Sequence, residues 1–243
     1  MDQSVQPDNS EEIIKLDKFL KTCINISIRN DLCQKFEVDP SEIYSVYYNY
    51  YFNDKFNRDI NGIYNIDIWN ITNPILISSI IHNTDDVVCI SLYIPDEFLR
   101  IGTGHQNTII IRKNENRFEH YEPNGSPKKD WFYSIVNQVK LLYYELVKCQ
   151  PEMTFISSEE LHPFGKIGFQ SFDRGYAGEM GYCQLWCYFT IRLVMTFKTL
   201  STKNIFSRFD LDDITLKQYR RRLKEIIRGY TYTTLKKLYY YLI

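Results

Sequence analysis

The sequence predicts an α+β fold, because its 243 residues contain both strand-like and helical segments. Residues 86–94 are rich in β-branched side chains, which is typical of a buried strand. Residues 182–200 form a nearly continuous apolar run of helical length, which Arg192 interrupts and which is too short to span a bilayer. We therefore expect strands that pack against a buried core helix.

The N-terminal part of the sequence predicts a tail followed by helices. Residues 1–10 are polar and acidic, so we expect a disordered tail and no signal peptide. Apolar residues recur at helical spacing over residues 11–23, and Ser41 is a suitable N-cap for a second helix that ends near Phe52. Residues 11–60 are expected to form a helical N-terminal subdomain.

The middle of the chain predicts alternating strands and helices. Residues 62–71 alternate apolar and polar side chains as a strand does, and Asn73-Pro74 begins a short apolar helix. Two strand-like runs, residues 105–112 and 117–122, flank a short polar turn and predict a hairpin. A turn, a helix, a short strand and a glycine-rich loop are then expected over residues 123–127, 129–148, 153–156 and 157–180.

The charge of the chain is nearly balanced, with 29 Lys and Arg against 30 Asp and Glu. This balance argues against nucleic-acid binding by the protein as a whole. Residues 201–243 are locally basic, however, and one or two amphipathic helices are expected there from Thr215 onward. Non-specific DNA contact through Arg220, Arg221 and Arg222 is one interpretation of this segment, and a solvated helix face is the other.

The cysteines are widely spread and include no C-x-x-C pair. This spacing argues against a disulfide scaffold and a zinc site, so we expect a reducing intracellular compartment and no metal or other cofactor. The six cysteines are Cys23, Cys33, Cys89, Cys149, Cys183 and Cys187.

Cys183 differs from the other thiols in its position. It follows a glycine-rich loop at the predicted start of the core helix, where unpaired N–H groups and the helix dipole favour a thiolate. The alternative is a buried core cysteine, which is the interpretation that we favour for Cys187 one turn later. Gln170 precedes Cys183 in the same loop, and its side chain and the Cys183 backbone N–H could together bind an oxyanion.

The predicted hairpin supplies a base and an acid. His105 opens a strand directly after Gly104, and a turn centred between Lys113 and Asn114 places His105 opposite Glu122. Directly opposed residues have Cβ atoms about 4.5–5.5 Å apart, so the carboxylate could orient the imidazole. A simple cross-strand ion pair is the alternative, and a one-residue slip would turn Glu122 to the other face. Glu119 and Asn124 are rival candidates for the orienting role.

The order His, acid, Gln, Cys resembles that of the adenovirus maturation protease and the SUMO-deconjugating proteases, the adenain-like cysteine proteases. Three motifs look like those of a related set in giant DNA viruses: an H-x-N strand at His105, a Glu-Pro-x-Gly turn at Glu122 and a Gly-Tyr-Cys-x-x-Trp helix start at Cys183. The resemblance covers residues 85–200. Twenty tyrosines and a single alanine, Ala177, fit an AT-rich gene of such a source.

The resemblance implies a mixed central β-sheet with a buried helix that carries the nucleophile, flanked by helices. Residues 61–200 would form the protease-like core, and residues 201–243 a basic helical C-terminal segment packed on it. Its implied activity is that of a thiol peptidase that cleaves viral precursor proteins or ubiquitin-like modifiers after small residues. Its implied setting is the host cytoplasm, the virus factory or the virion, with no membrane association.

The resemblance also implies roles for individual residues. Cys183 would be the nucleophile, with His105 as base, Glu122 as orienting acid and Gln170 as oxyanion donor. Substrate contacts are expected from Asn107, Asn124 and Trp186. The sequence departs from the clan where Gln106 follows the histidine in place of Trp, where Gln184 follows the cysteine in place of Gly, and where Gln170 lies farther than usual ahead of Cys183.

Two other classes of function are compatible with the same sequence. A protease-like module that has lost activity could bind a modifier or another virion protein. Alternatively, the protein could associate with nucleic acid through its basic C-terminal helices.

Overall fold

The computed structural model describes residues 10–29, 62–100, 104–126, 129–172, 182–209 and 215–242. The helix expected after Ser41 and nearly all of the N-terminal tail lie outside these ranges. Within them, no helix is both long enough and apolar enough to cross a membrane.

A five-stranded mixed sheet lies at the centre of the fold, which is therefore α+β as predicted. Its strands follow one another in sequence order, with the two outer pairs parallel and the two inner pairs antiparallel. The strands are β1 (Ile63–Asp67), β2 (Val87–Ile94), β3 (His105–Arg112), β4 (Arg117–Tyr121) and β5 (Thr154–Ile156).

Helices cover both faces of this sheet. The side chain of Asn73 accepts a hydrogen bond from the Ile75 N–H and so begins the short helix where it was predicted. The helices are α1 (Ser10–Arg29), α2 (Pro74–His82), α3 (Asp96–Leu99), α4 (Asp130–Val147), α5 (Ser158–Leu161), α6 (Phe169–Phe172), α7 (Tyr182–Thr196), α8 (Thr202–Ser207) and α9 (Leu216–Leu242). Thus α7 is shorter than expected, and the predicted loop over residues 157–180 contains two short helices.

The sheet separates two apolar cores, because successive side chains of a strand point to opposite faces. Ile109 and Ile111 pack in one core with α2 and α4, whereas Ile110 packs in the other with α7 and α9. The core helix α7 is buried along most of its length, with Trp186 fully enclosed. In the first turn of α7, Cys183 and Leu185 are buried and Gln184 is half-buried.

Helix α1 belongs to the main core rather than to a separate subdomain. Its Leu16 and Leu20 are fully buried in the same cluster as α7. A Cβ atom on Gly229 of α9 would lie 1.8 Å from the carbonyl oxygen of Cys23, so the two helices touch backbone to backbone. The apolar stripe of α1 needs a partner, and α9 supplies it from the other end of the chain.

Candidate functional site

The register of the β3–β4 hairpin differs by two residues from the prediction. Thr108 pairs with Tyr121 and Arg112 with Arg117, which centres the turn between Asn114 and Glu115. His105 is therefore not directly opposite Glu122. Because a shift of two residues preserves the face of a strand, both side chains still point to the same side of the sheet and meet diagonally.

His105 is the first residue of β3, and its imidazole is held on two sides. Its Nε2 atom lies 2.9 Å from Oε1 and 2.8 Å from Oε2 of Glu122. The ring of Trp131, in the first turn of α4, meets it edge-to-face with centroids 5.4 Å apart. The imidazole is only 7% exposed, so this packing leaves it little freedom to rotate.

Glu122 is a fully buried carboxylate with several hydrogen-bond donors. Its Oε2 accepts from the Asn107 amide at 2.9 Å, and its Oε1 accepts from the Asn124 backbone N–H at 2.9 Å. Burial alone would raise the pKa of Glu122, but the charge of His105 and these hydrogen bonds outweigh burial and lower the pKa below its ordinary value. Glu122 is therefore ionised at neutral pH.

The backbone of Glu122 is fixed by side chains from the segment that follows β5. Its N–H donates to Ser158 Oγ at 3.0 Å, and its carbonyl oxygen accepts from His162 Nε2 at 2.9 Å. Both of these side chains are almost completely buried. The acid is thus anchored through its main chain as well as through its carboxylate.

Cys183, in the first turn of α7, lies within hydrogen-bonding reach of the His105 imidazole. Burial lowers the pKa of His105, but its electrostatic interactions with Glu122 and Cys183 and its hydrogen bonds to both side chains outweigh burial and raise the pKa well above its ordinary value. Since Nε2 is occupied by Glu122, the other ring nitrogen, Nδ1, remains for the sulfur. The structure brings together Cys183, His105 and Glu122 in the order that a thiol nucleophile, its base and its orienting acid require.

Gln170 lies on α6, which packs against α7. Its backbone N–H donates to the Pro123 carbonyl oxygen at 2.9 Å, and its buried Oε1 has no hydrogen-bond partner among the described residues. Residues 173–181, which join it to Cys183, lie outside the described part of the chain.

The turn after Glu122 is joined directly to the segment that carries Gln170. Gly125 has a left-handed φ of 87°, and a Cβ atom on it would lie 2.4 Å from the Gly168 nitrogen. The Gly168 N–H also donates to the Asn124 carbonyl oxygen at 3.1 Å. Two glycines at this point allow the two backbones to touch, which couples the position of Gln170 to that of the acid.

The residues expected to contact substrate lie in three different environments. Asn124 is half-buried, and its carbonyl oxygen accepts from Ser171 Oγ at 3.0 Å. Asn107 is completely buried against Glu122 and His120. Trp186 is completely buried in the core between Phe169 and Phe189. For Asn107 and Trp186 this is a correction, because neither side chain has a surface that a substrate could reach in this structure.

Glu119, the rival acid, lies on the opposite face of the sheet from His105. It is buried there in an ion pair with Arg117, 2.8 Å from Nη2, and beside Arg112. This cluster ties the hairpin to α8 through Thr202, which donates to Glu119. Its contacts are structural.

Four residues that support the site were not predicted from the sequence. Nothing in the local sequence around His120 or His162 connects either histidine with Glu122. Trp131 and Ser158 come from segments distant in sequence, and only the folded structure brings them to the site. These contacts depend on tertiary packing, for which a single sequence offers no periodic signal.

The other described thiols differ from Cys183 in their surroundings. Cys187 donates to the Gln106 carbonyl oxygen at 3.3 Å, and burial raises its pKa well above the ordinary value. Burial likewise raises the pKa of Cys23 and of Cys89 to about 12. Over the described ranges, no group of three His, Cys, Asp or Glu side chains could hold a metal ion.

Comparison with known proteins adds no relative to this picture. No protein-family model matches the chain, and no curated protein or solved structure matches it significantly. The case for a function therefore depends on the geometry of the site and on the sequence motifs.

Proposed function

We propose that the protein is a cysteine-type peptidase of the adenain-like kind. The observation that carries the proposal is the position of the His105 imidazole between the Glu122 carboxylate and the Cys183 thiol. Burying a carboxylate, an imidazole and a thiol side by side costs desolvation free energy. That cost is offset only when each group is hydrogen-bonded to, or oppositely charged from, its neighbour. An ion pair between His105 and Glu122 that only stabilised the fold would not require a cysteine beside the imidazole.

The proposed reaction begins with proton transfer from Cys183 to His105, or with a resting thiolate–imidazolium pair. The sulfur attacks the scissile carbonyl carbon, and the imidazolium then protonates the leaving amine. A water molecule deprotonated by His105 hydrolyses the resulting thioester and regenerates the thiol. Glu122 stabilises the imidazolium in both steps.

The oxyanion of each tetrahedral intermediate would be stabilised at the start of α7. The Cys183 backbone N–H lies in the first turn, where helix N–H groups have no intrahelical acceptor. Gln170 is proposed as the side-chain donor. Replacing it by Ala should slow the chemical step by about 10²–10³-fold if it has this role.

The proposed substrates are viral precursor proteins or ubiquitin-like modifiers that end in small residues, as the resemblance implies. A suitable test is a ubiquitin or SUMO whose C-terminus carries a thiol-directed electrophile. We expect a covalent adduct with the wild-type protein, no adduct with Cys183→Ala or His105→Ala, and an unchanged adduct with Cys187→Ala. Cys149→Ala is a second control, because Cys149 is exposed.

Two results, one from a substrate-cleavage assay and one from the labelling experiment, would contradict the proposal. Cleavage of a substrate by intact Cys183→Ala protein at the wild-type rate would exclude this cysteine as the nucleophile. Equal, non-covalent binding of the modifier by the wild type and by Cys183→Ala, without any adduct, would favour an inactive binding module.

A second candidate function, contact with nucleic acid, is favoured by the surface of α9. Lys217, Arg220, Arg221 and Arg228 are exposed at helical spacing on one side of α9, opposite its buried apolar side. Arg222 is half-buried, and Arg221 also pairs with Glu225 at 2.8 Å. A stripe of this kind could follow a phosphate backbone without reading its sequence.

The test for this candidate is duplex DNA binding by fluorescence anisotropy at about 50 and 200 mM salt. We expect affinity to fall with salt and to weaken in the Lys217→Glu/Arg220→Glu double variant. Lys148→Glu, an exposed change on the distant end of α4, serves as the control for a single lost cation. Binding that is independent of salt, or that the control weakens equally, would argue against phosphate contacts.

A further inference from the structure

A buried polar chain continues behind Glu122, away from the thiol. His120 Nε2 lies 2.6 Å from Asn107 Oδ1, and Asn107 Nδ2 lies 2.9 Å from Glu122 Oε2. His120 is 1% exposed and Asn107 is completely buried. Buried polar groups at this depth are costly unless each one has a partner, so the chain requires an explanation.

The chemistry of each group determines the direction of these hydrogen bonds. The ionised Glu122 only accepts, so Asn107 must turn its amide nitrogen toward Glu122 and its oxygen toward His120. Burial lowers the pKa of His120 to about 4, which makes its ring neutral at neutral pH. The single N–H of that ring must then be on Nε2, because Asn107 Oδ1 needs a donor. Each member thus orients the next.

We infer that Asn107 and His120 are positioning residues for His105 and act through Glu122. Asn107 aims Oε2 of Glu122 at the imidazole and helps to keep it ionised, and His120 prevents the Asn107 amide from turning over. This inference rests on the proposed function and deepens it. Neither residue touches a substrate, so neither is a catalytic residue.

The consequence is a shift in pH dependence. A buried carboxylate that loses a donor becomes protonated at a higher pH, and a neutral Glu122 no longer stabilises the imidazolium of His105. The other groups that face Glu122 are His105, the Asn124 backbone N–H, Ser158 and His162, and all of them remain in place. In a plot of the Cys183 alkylation rate against pH, the acidic limb is the low-pH range over which the rate rises. Loss of the Asn107 donor should therefore move this acidic limb to higher pH.

The experiment measures alkylation of Cys183 by iodoacetamide from about pH 4 to 9 in the intact protein, with peptide mass spectrometry as readout. We expect the acidic limb to move up by about one pH unit in Asn107→Leu, which is about tenfold slower alkylation at a fixed pH on that limb. His120→Phe should move the limb in the same direction by less. His120→Gln, whose amide nitrogen can replace Nε2 as donor, should restore it.

Control measurements separate positioning from a general loss of structure. The exposed Cys149 reports reagent quality in the same sample, and the buried Cys89 reports global unfolding, because the reagent reaches it only when the protein unfolds. If Asn107→Leu does not fold, the His120→Phe and His120→Gln pair still provides the comparison. If the acidic limb of Cys183 alkylation stays at its wild-type pH in folded variants, the positioning role is overturned, but the proposed function is not. A wild-type Cys183 no more reactive than Cys149 would overturn the activated thiol, and with it this inference.

Discussion

Replacement of Glu122 by Gln removes the charge that stabilises the His105 imidazolium while it preserves the size of the side chain. Unit charges 2.8 Å apart attract by about 6 kcal/mol at an effective dielectric constant of about 20. Desolvation of both groups offsets much of this attraction. The net loss of a charge-assisted hydrogen bond is about 1.5–3 kcal/mol, which corresponds to about one to two pH units.

The assay for Glu122→Gln is histidine-ring NMR across a pH titration. In the wild type the pKa of His105 lies well above its ordinary value, since Glu122 and Cys183 outweigh burial. In the variant that pKa should fall by about one to two units, because the Glu122 charge no longer offsets the effect of burial. His82, exposed at the end of α2, provides an internal reference signal for the spectra. An unchanged His105 titration would refute the reasoning.

Two further predictions concern stability. His120 and His162 are buried and have a pKa of about 4 in the folded state, below the value of about 6.5 for an unfolded histidine. Their protonation therefore favours unfolding, so the urea midpoint should fall as the pH is lowered from about 6.5 to about 4. The fall should be smaller in His162→Phe. A midpoint that stays constant over that pH range would contradict this prediction. Gly229→Ala should lower the unfolding free energy by about 1–3 kcal/mol, because its Cβ would overlap the Cys23 carbonyl at 1.8 Å and force α1 away from α9. A variant at least as stable as the wild type, as the higher helix propensity of Ala alone would predict, would exclude this close contact.

Local sequence patterns predicted the elements of the fold better than their pairing. The β-branched run at β2 and the Asn73-Pro74 helix start both lie where they were expected. The hairpin register was wrong by two residues because its four-residue turn ends on Asn116 in a left-handed conformation, with φ 50°. Loop length and turn type determine register, and several choices fit the same polar sequence. The shared face of His105 and Glu122 was nevertheless predictable, since strand alternation is unaffected by an even shift.

The supporting residues of the site were less accessible to sequence reasoning. Asn107 was expected at the substrate, yet it is completely buried and bonded to His120, which no local pattern connects with it. Trp186 follows Cys183 by less than one turn, so its direction into the core depends on where α7 packs. Burial of a single polar or aromatic side chain is decided by tertiary packing rather than by periodicity.

The central claim is that His105 and Glu122 activate Cys183, and the pH dependence of its alkylation tests this most directly. Wild-type Cys183 should react at pH 6 nearly as fast as at pH 8, and His105→Ala should abolish that plateau while Cys149 reacts unchanged. An ordinary thiol instead gains about tenfold in rate for each pH unit below its own titration. Tenfold steps for wild-type Cys183 between pH 6 and 8, or the same profile in His105→Ala, would contradict the account.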